Sequence, residues 1–171
     1  MKRVIRMGSV IAVAASVLAA SAAGAQESAR VAVEGHAGRA WFADEGAIRH
    51  DVVAVGVRGY FTPRLAAGPE LTYMRGPGID RDWVLTGNLT FDVLDTHTRF
   101  RRVVPYLLVG GGYTHVRLAV GTGPYTYEEG AVTGGGGVRM SSRSGWYVAP
   151  EFRLGWELHA RAGVTIGWSG R

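Results

Sequence analysis

Between Arg30 and Trp168 hydrophobic residues return at every second position, not every third or fourth. The stretch VAPEFRLGW, residues 148–156, shows it in small compass. Val148, Pro150, Phe152, Leu154 and Trp156 share one parity; Ala149, Glu151, Arg153 and Gly155 share the other. Alternation at period two predicts a β-strand with two unlike faces. The split recurs elsewhere, with Val53, Val55, Val57, Gly59 and Phe61 opposing Ala54, Gly56, Arg58 and Tyr60. Ala67, Pro69, Leu71 and Tyr73 oppose Gly68, Glu70, Thr72 and Met74, and Trp83, Leu85, Gly87, Leu89 and Phe91 oppose Val84, Thr86, Asn88, Thr90 and Asp92. Near the C-terminus Ala162, Val164, Ile166 and Trp168 oppose Arg161, Gly163, Thr165 and Gly167. In a soluble sheet the apolar face is the core. In a barrel that spans a bilayer it meets lipid, and the polar face fills the interior.

Eight strands are expected, at Arg30–Phe42, Asp51–Phe61, Leu65–Arg75, Asp82–Leu94, Val103–Val116, Tyr127–Met140, Gly145–Trp156 and Ala160–Trp168. They are about 9 to 14 residues long, where globular strands average about five or six and a tilted bilayer-crossing strand needs about 9–11. Their connections alternate in kind. Thr62-Pro63-Arg64 and Ser142-Arg143-Ser144 read as tight turns, and Ala43–His50, Gly76–Arg81 and Arg117–Pro124 as longer loops. Short turns at one end and longer loops at the other fit a spanning barrel. Asp95–Arg102 and Glu157–His159 break that pattern.

The polar face decides between the two meanings. It mixes Gly, Ala and Thr with a few charges of both signs, and the only lysine in the chain is Lys2. A water-exposed surface would carry more Lys, Glu and Gln and fewer glycines. Small residues beside Arg, Glu and Tyr suit a crowded barrel interior. The apolar face is aliphatic in mid-strand with Trp, Tyr or Phe toward the ends, as a lipid band with aromatic girdles requires. The runs Gly110-Gly111-Gly112 and Gly134 to Gly137 are followed by no Gly-Lys-Ser/Thr and open no helix, so they read as space and curvature, not as a phosphate loop.

The first 25 residues add an export signal. Lys2, Arg3 and Arg6 precede an apolar stretch from Gly8 to Ala20, and Ala23-Gly24-Ala25 forms a small-x-small cleavage site. Residues 1–25 therefore read as a signal peptide and 26–171 as one barrel domain. Cleavage removes three of the 19 basic residues and none of the 14 acidic ones, leaving 16 against 14, or +2 in place of +5. The basic residues form no stripe and no nucleic-acid motif, so no nucleic-acid partner is expected. There is no cysteine, which excludes thiolate chemistry. No later segment holds about 18 consecutive apolar residues, so any membrane crossing is by strands.

Gly56-Val57-Arg58 recurs as Gly137-Val138-Arg139, and Pro69-Glu70 as Pro150-Glu151, both at an offset of 81 residues. Each repeat places an Arg on one strand, a turn, and a Glu on the next. Inward-facing Glu34, Glu70 and Glu151 with Arg58, Arg139, Arg153 and Arg161 are accordingly expected to pair in the interior, because isolated buried charge costs several kcal/mol.

The signal peptide, the eight strands, PYLLVGGGY, the Gly-Pro-Glu-Leu strand and the closing AGVTIGW resemble small eight-stranded outer-membrane β-barrels of the OmpA/OmpX and opacity-protein type. The resemblance covers essentially the whole chain after residue 25. It implies an all-β, antiparallel, up-and-down transmembrane barrel, exported by the Sec pathway and inserted in the outer membrane by the barrel-assembly machinery. It implies a monomer whose partners are membrane lipid and lipopolysaccharide, with no cofactor; because the chain stops with the barrel, no periplasmic peptidoglycan-binding domain is expected. Such barrels commonly end on an aromatic residue; here Trp168 is followed by Ser169-Gly170-Arg171.

Some barrels of this size act on lipid A, which would need a Ser–His–acid set near the outer rim. The histidines are His36, His50, His97, His115 and His159, and the serines of the barrel cluster at Ser141, Ser142 and Ser144 by a turn. No serine lies beside a histidine, and His115 and His159 read as rim residues, so no catalysis is expected. Metal ligation by His50-Asp51 is disfavoured because adjacent strand residues point to opposite faces. Arg75, Arg81 and Arg117, near the expected outer rim, are candidates for pairing with lipopolysaccharide phosphates. Three roles are left open: a structural or surface-interaction barrel in the envelope, a soluble lipocalin-like barrel binding a small apolar ligand, and a lipid A-modifying enzyme.

Overall fold

The computed structural model describes residues 30–43, 48–94, 102–120, 123–156 and 159–170. The proposed signal peptide, His97, and parts of the Asp95–Arg102 and Glu157–His159 connections lie outside the described residues. Eight strands form: β1 (Val31–Phe42), β2 (Ile48–Tyr60), β3 (Leu65–Arg75), β4 (Arg81–Asp92), β5 (Val103–Val120), β6 (Gly123–Ser141), β7 (Trp146–Gly155) and β8 (His159–Ser169). Each pairs antiparallel with its sequence neighbour, and β8 pairs back onto β1 to close the barrel. Closure leaves no edge strand in the barrel wall, the arrangement that satisfies every ladder without water.

One end carries the start of β1, the end of β8 and the β2–β3, β4–β5 and β6–β7 connections; we call it the terminal end. The opposite end carries the β1–β2, β3–β4, β5–β6 and β7–β8 connections and is the loop end. Local chemistry sets the turns. Thr62 Oγ1 accepts the Leu65 N–H at 2.8 Å to close the β2–β3 turn. Gly145 and Gly78 take positive φ, 90° in the β6–β7 turn and 63° in the β3–β4 turn, where a side chain would be strained. The β2–β3 and β6–β7 ladders keep one register on both sides of Pro69 and Pro150 but skip the pairs beside them, since proline has no N–H to donate.

The expected bounds hold to within one to four residues, with two differences of consequence. The expected loop at Arg117–Pro124 is largely strand, because β5 and β6 keep pairing from Arg117↔Thr126 to Val120↔Gly123. His50, placed in a loop by its charged surroundings, sits in β2 opposite Ala40. In both places the antiparallel partner continues the ladder beyond the point where alternation fades.

The faces run as expected for a barrel with its apolar side outward. Val55 is 63% exposed, Val132 67% and Leu154 58%, while Ala54, Ala131 and Arg153 on the alternate positions are buried. Exposed aromatics lie at both ends of this aliphatic band, with Trp41, Trp83 and Tyr113 toward the loop end and Phe61, Phe91, Trp146 and Trp168 toward the terminal end. From Trp83 to Phe91 the strand covers about 26 Å, or about 20 Å of height at a tilt of ~40°, near the roughly 25 Å apolar band of a spanning barrel. Trp156 departs from its parity. Its strand ends at Gly155, and the indole packs inward against Ala40, Phe42, Val52, Met74, Val84 and Ala131 instead of facing outward.

Candidate functional site

The interior is built from charge set against glycine. Glu34 is flanked by Gly56 and Gly167, Glu151 by Gly137 and Gly163, and Arg153 faces Gly135 across the β6–β7 ladder. The close approach is strict at Gly163, where an added Cβ would run into the Ala37 carbonyl oxygen and meet His36 Nε2 at 2.6 Å and Gly38 Cα at 2.8 Å. The missing side chains make the volume that the long ones fill.

At mid-height, Arg153 donates to both carboxylate oxygens of Glu70, at 3.0 and 2.8 Å, and its Nε donates to Glu151 at 2.5 Å. Arg161 donates to Glu70 at 2.9 Å and to the Thr72 hydroxyl at 3.3 Å. His36 lies against Thr165 at 3.0 Å and Glu151 at 3.8 Å. Nearer the terminal end, Arg139 Nη1 reaches both Asp92 oxygens at 2.9 Å and its guanidinium lies over the Tyr106 and Tyr147 rings. Arg58 pairs with Glu34, which also accepts from the Tyr147 hydroxyl. The Tyr106 hydroxyl donates to Glu151 at 2.6 Å and joins the two groups. Charges removed from water to this degree hold together because each guanidinium faces at least one carboxylate, and Arg153 faces two.

The structure thus brings together Glu70, Glu151, Arg153 and Arg161, and pairs Arg58 with Glu34. Arg139 is joined to Asp92, a residue absent from the expected set. Tyr106, Tyr147 and His36 were also absent from it. Asp92 shared the polar parity of its strand, so that parity was the available signal. The repeated Arg–turn–Glu hairpins do not pair internally: Arg58 and Glu70, and Arg139 and Glu151, each find partners on other strands.

At the loop end, Arg39, Asp51, Arg75, Arg81 and Arg117 occupy one continuous register row across β1 to β5. This row lies one outward position beyond Tyr73, Trp83 and His115. Arg39 pairs loosely with Asp51 at 3.6 Å, and Arg81 donates to the Asp80 and Gly76 carbonyls. Inside the same end, His50 contacts Asp80, Phe42 meets His50 and Trp156 meets His159 edge to face, and Phe42 lies tilted against His159. His159 was expected at the rim; it is 3% exposed and bonds the Trp156 carbonyl through Nδ1, because β8 begins with its side chain inside the barrel. His115 does face outward, beside Glu128. The described serines, Ser141, Ser142, Ser144 and Ser169, are all at the terminal end, away from these histidines.

No family model matches the chain, and no curated protein matches it. Solved structures do. The N-terminal β-barrel domain of Pseudomonas aeruginosa OprF superposes with a TM-score of 0.65 at 12% identity, over 82% of this chain and 97% of that one. Neisserial surface protein A gives 0.62 at 11%, over 82% and 95%, and Ail, the attachment invasion locus protein of Yersinia pestis, gives 0.60 at 10%, over 83% and 99%. The chain has the fold of the small eight-stranded outer-membrane barrels.

Proposed function

We propose that this protein is an outer-membrane barrel with a structural or surface-interaction role, its interior plugged by the Glu–Arg–Tyr network and its wall embedded in lipid. The observation that carries this reading is the inversion of the fold: aliphatic side chains encircle the outside between two aromatic rims, while the charges are buried and paired inside. Such a surface is incompatible with water at this extent and matches a bilayer. The terminal end lies in the periplasm and the loop end faces outward, so the chain reaches the membrane through the Sec pathway and the barrel-assembly machinery. The arginine row then sits just beyond the aromatic rim, at the level of lipopolysaccharide phosphates, where guanidinium groups bind best.

The soluble lipocalin-like reading is weakened by the interior, which holds ion pairs where an apolar ligand would need a greasy cavity. The lipid A-modifying reading is weakened by the separation, among the described residues, of the serines from the loop-end histidines His50, His115 and His159. Membrane fractionation combined with unheated and boiled gel samples tests the main reading. The protein should sediment with outer membranes and migrate faster unheated; a soluble protein with no heat-dependent shift removes it. Replacing Arg75, Arg81 and Arg117 together by Gln should lower lipopolysaccharide co-purification while leaving that shift intact.

A further inference from the structure

Three side chains from separate stretches converge inside the loop end. His50 comes from β2, Asp82 from the start of β4, and Asp80 from the turn before it. His50 Nε2 lies 2.7 Å from Asp80 Oδ2 and 3.8 Å from Asp82 Oδ2, and the three donor atoms fall within 4.8 Å of one another. His50 is 2% exposed and Asp82 4%, while Asp80 is half-buried. None of the three belongs to the mid-barrel network.

We propose that this is a binding site for a first-row divalent transition ion of the Zn2+ type, with His50 Nε2 and one carboxylate oxygen each from Asp80 and Asp82 as ligands. Bonds of about 2.0–2.2 Å to such an ion put neighbouring ligand atoms about 3.0–3.5 Å apart. The two histidine–carboxylate separations bracket that range and the carboxylate oxygens lie within 4.8 Å of each other; Asp80 sits on a turn, so an adjustment on the order of 1 Å completes the geometry. An imidazole nitrogen beside two carboxylates selects against Mg2+ and Ca2+, which take oxygen ligands.

Independent features of the same pocket support it. Thr114 is fully buried and lines the cavity shared by His50, Asp80 and Asp82, and its hydroxyl has no hydrogen-bond partner among the described residues. In the proposed site this hydroxyl bonds a water on an open position of the ion. Gly76 keeps the space clear, since a Cβ there would run into the Asp80 carboxylate and reach His50 Nε2 at 2.5 Å. Phe42 holds the imidazole from the side at 4.7 Å, but His50 Nδ1 has no partner among the described residues. A ligating histidine usually has such a brace, and its lack costs about 10–100-fold in affinity, so binding is expected to be weaker than that of a braced site by about that factor. Bound there, the ion ties β2 to β4 and to the turn before it, clasping one mouth of the barrel.

The test is calorimetric titration of ZnCl2, MgCl2 and CaCl2 into untagged, chelator-stripped barrel purified from membranes in detergent. One saturable Zn2+ site per barrel is expected, with no saturable response to Mg2+ or Ca2+. Asp80→Asn and His50→Gln should each weaken Zn2+ binding at least tenfold, and His115→Gln should leave it unchanged. Because His50 is buried, Asp80→Asn in the turn is the variant that must keep the heat-dependent gel shift. Absence of saturable Zn2+ binding, equal binding of Ca2+, or unchanged binding in Asp80→Asn overturns the proposal.

Discussion

Arg153 and Glu70 meet across the barrel through two charge-assisted hydrogen bonds, at 3.0 and 2.8 Å, although 83 residues separate them. They lie on β7 and β3, strands that share no ladder. Their meeting is therefore a property of the closed barrel and of its radius.

Arg153→Met should be strongly destabilising, by about 3–5 kcal/mol, because Glu70 and Glu151 both lose a matched donor in a buried place. Arg153→Lys should recover only part of that loss, since an ammonium cannot serve Glu70 bidentately and Glu151 at once. Urea unfolding of the refolded barrel in lipid or detergent measures both. A loss below about 1 kcal/mol for Arg153→Met would mean that the network is looser than its distances.

Outward positions offer a depth test. Val55→Arg, in the middle of the aliphatic band, should cost about 2–4 kcal/mol in a bilayer, while Phe61→Arg at the terminal-end rim should cost about 0–1. Equal costs at both sites would contradict a lipid-facing band.

The five tryptophans make a fluorescence test, because Trp156 alone among them packs inward. In single-tryptophan variants, brominated lipid should quench Trp41, Trp83, Trp146 and Trp168, and should spare Trp156. Quenching of Trp156 to the same degree would place it outside the barrel.

Gly163→Val should prevent closure altogether, since the new side chain would occupy space held by His36 and the β1 backbone. Absence of the heat-dependent gel shift is the expected readout. Gly35→Ala, where an added Cβ meets nothing within 4 Å, is the matched control and should fold.

The strand positions and the two faces were legible because alternation is a local signal, written within ten residues. VAPEFRLGW announced Glu151 and Arg153 as inward groups by parity alone. Partner choice was not legible, since Arg139–Asp92 and Arg153–Glu70 cross the lumen between strands that share no ladder, and sequence spacing carries no measure of that distance. Trp156 and His159 misled for different reasons. Trp156 lies beyond the end of its strand, where parity loses meaning, whereas His159 reads as a turn residue although it pairs with Phe42 and shares the inward parity of Arg161. The His50–Asp80–Asp82 convergence escaped too, because His50 was weighed against its neighbour Asp51, whose side chain points to the other face.

The pairing of Glu34, Glu70, Glu151 and Arg153 with glycines on adjoining strands has an evolutionary consequence. A guanidinium can be exchanged for another side chain if its carboxylate changes with it, so the charges are free to drift as sets. Gly135, Gly137 and Gly163 have no such freedom, because any replacement collides with backbone. Lineages descended from this barrel should keep the empty positions and rewrite the filled ones.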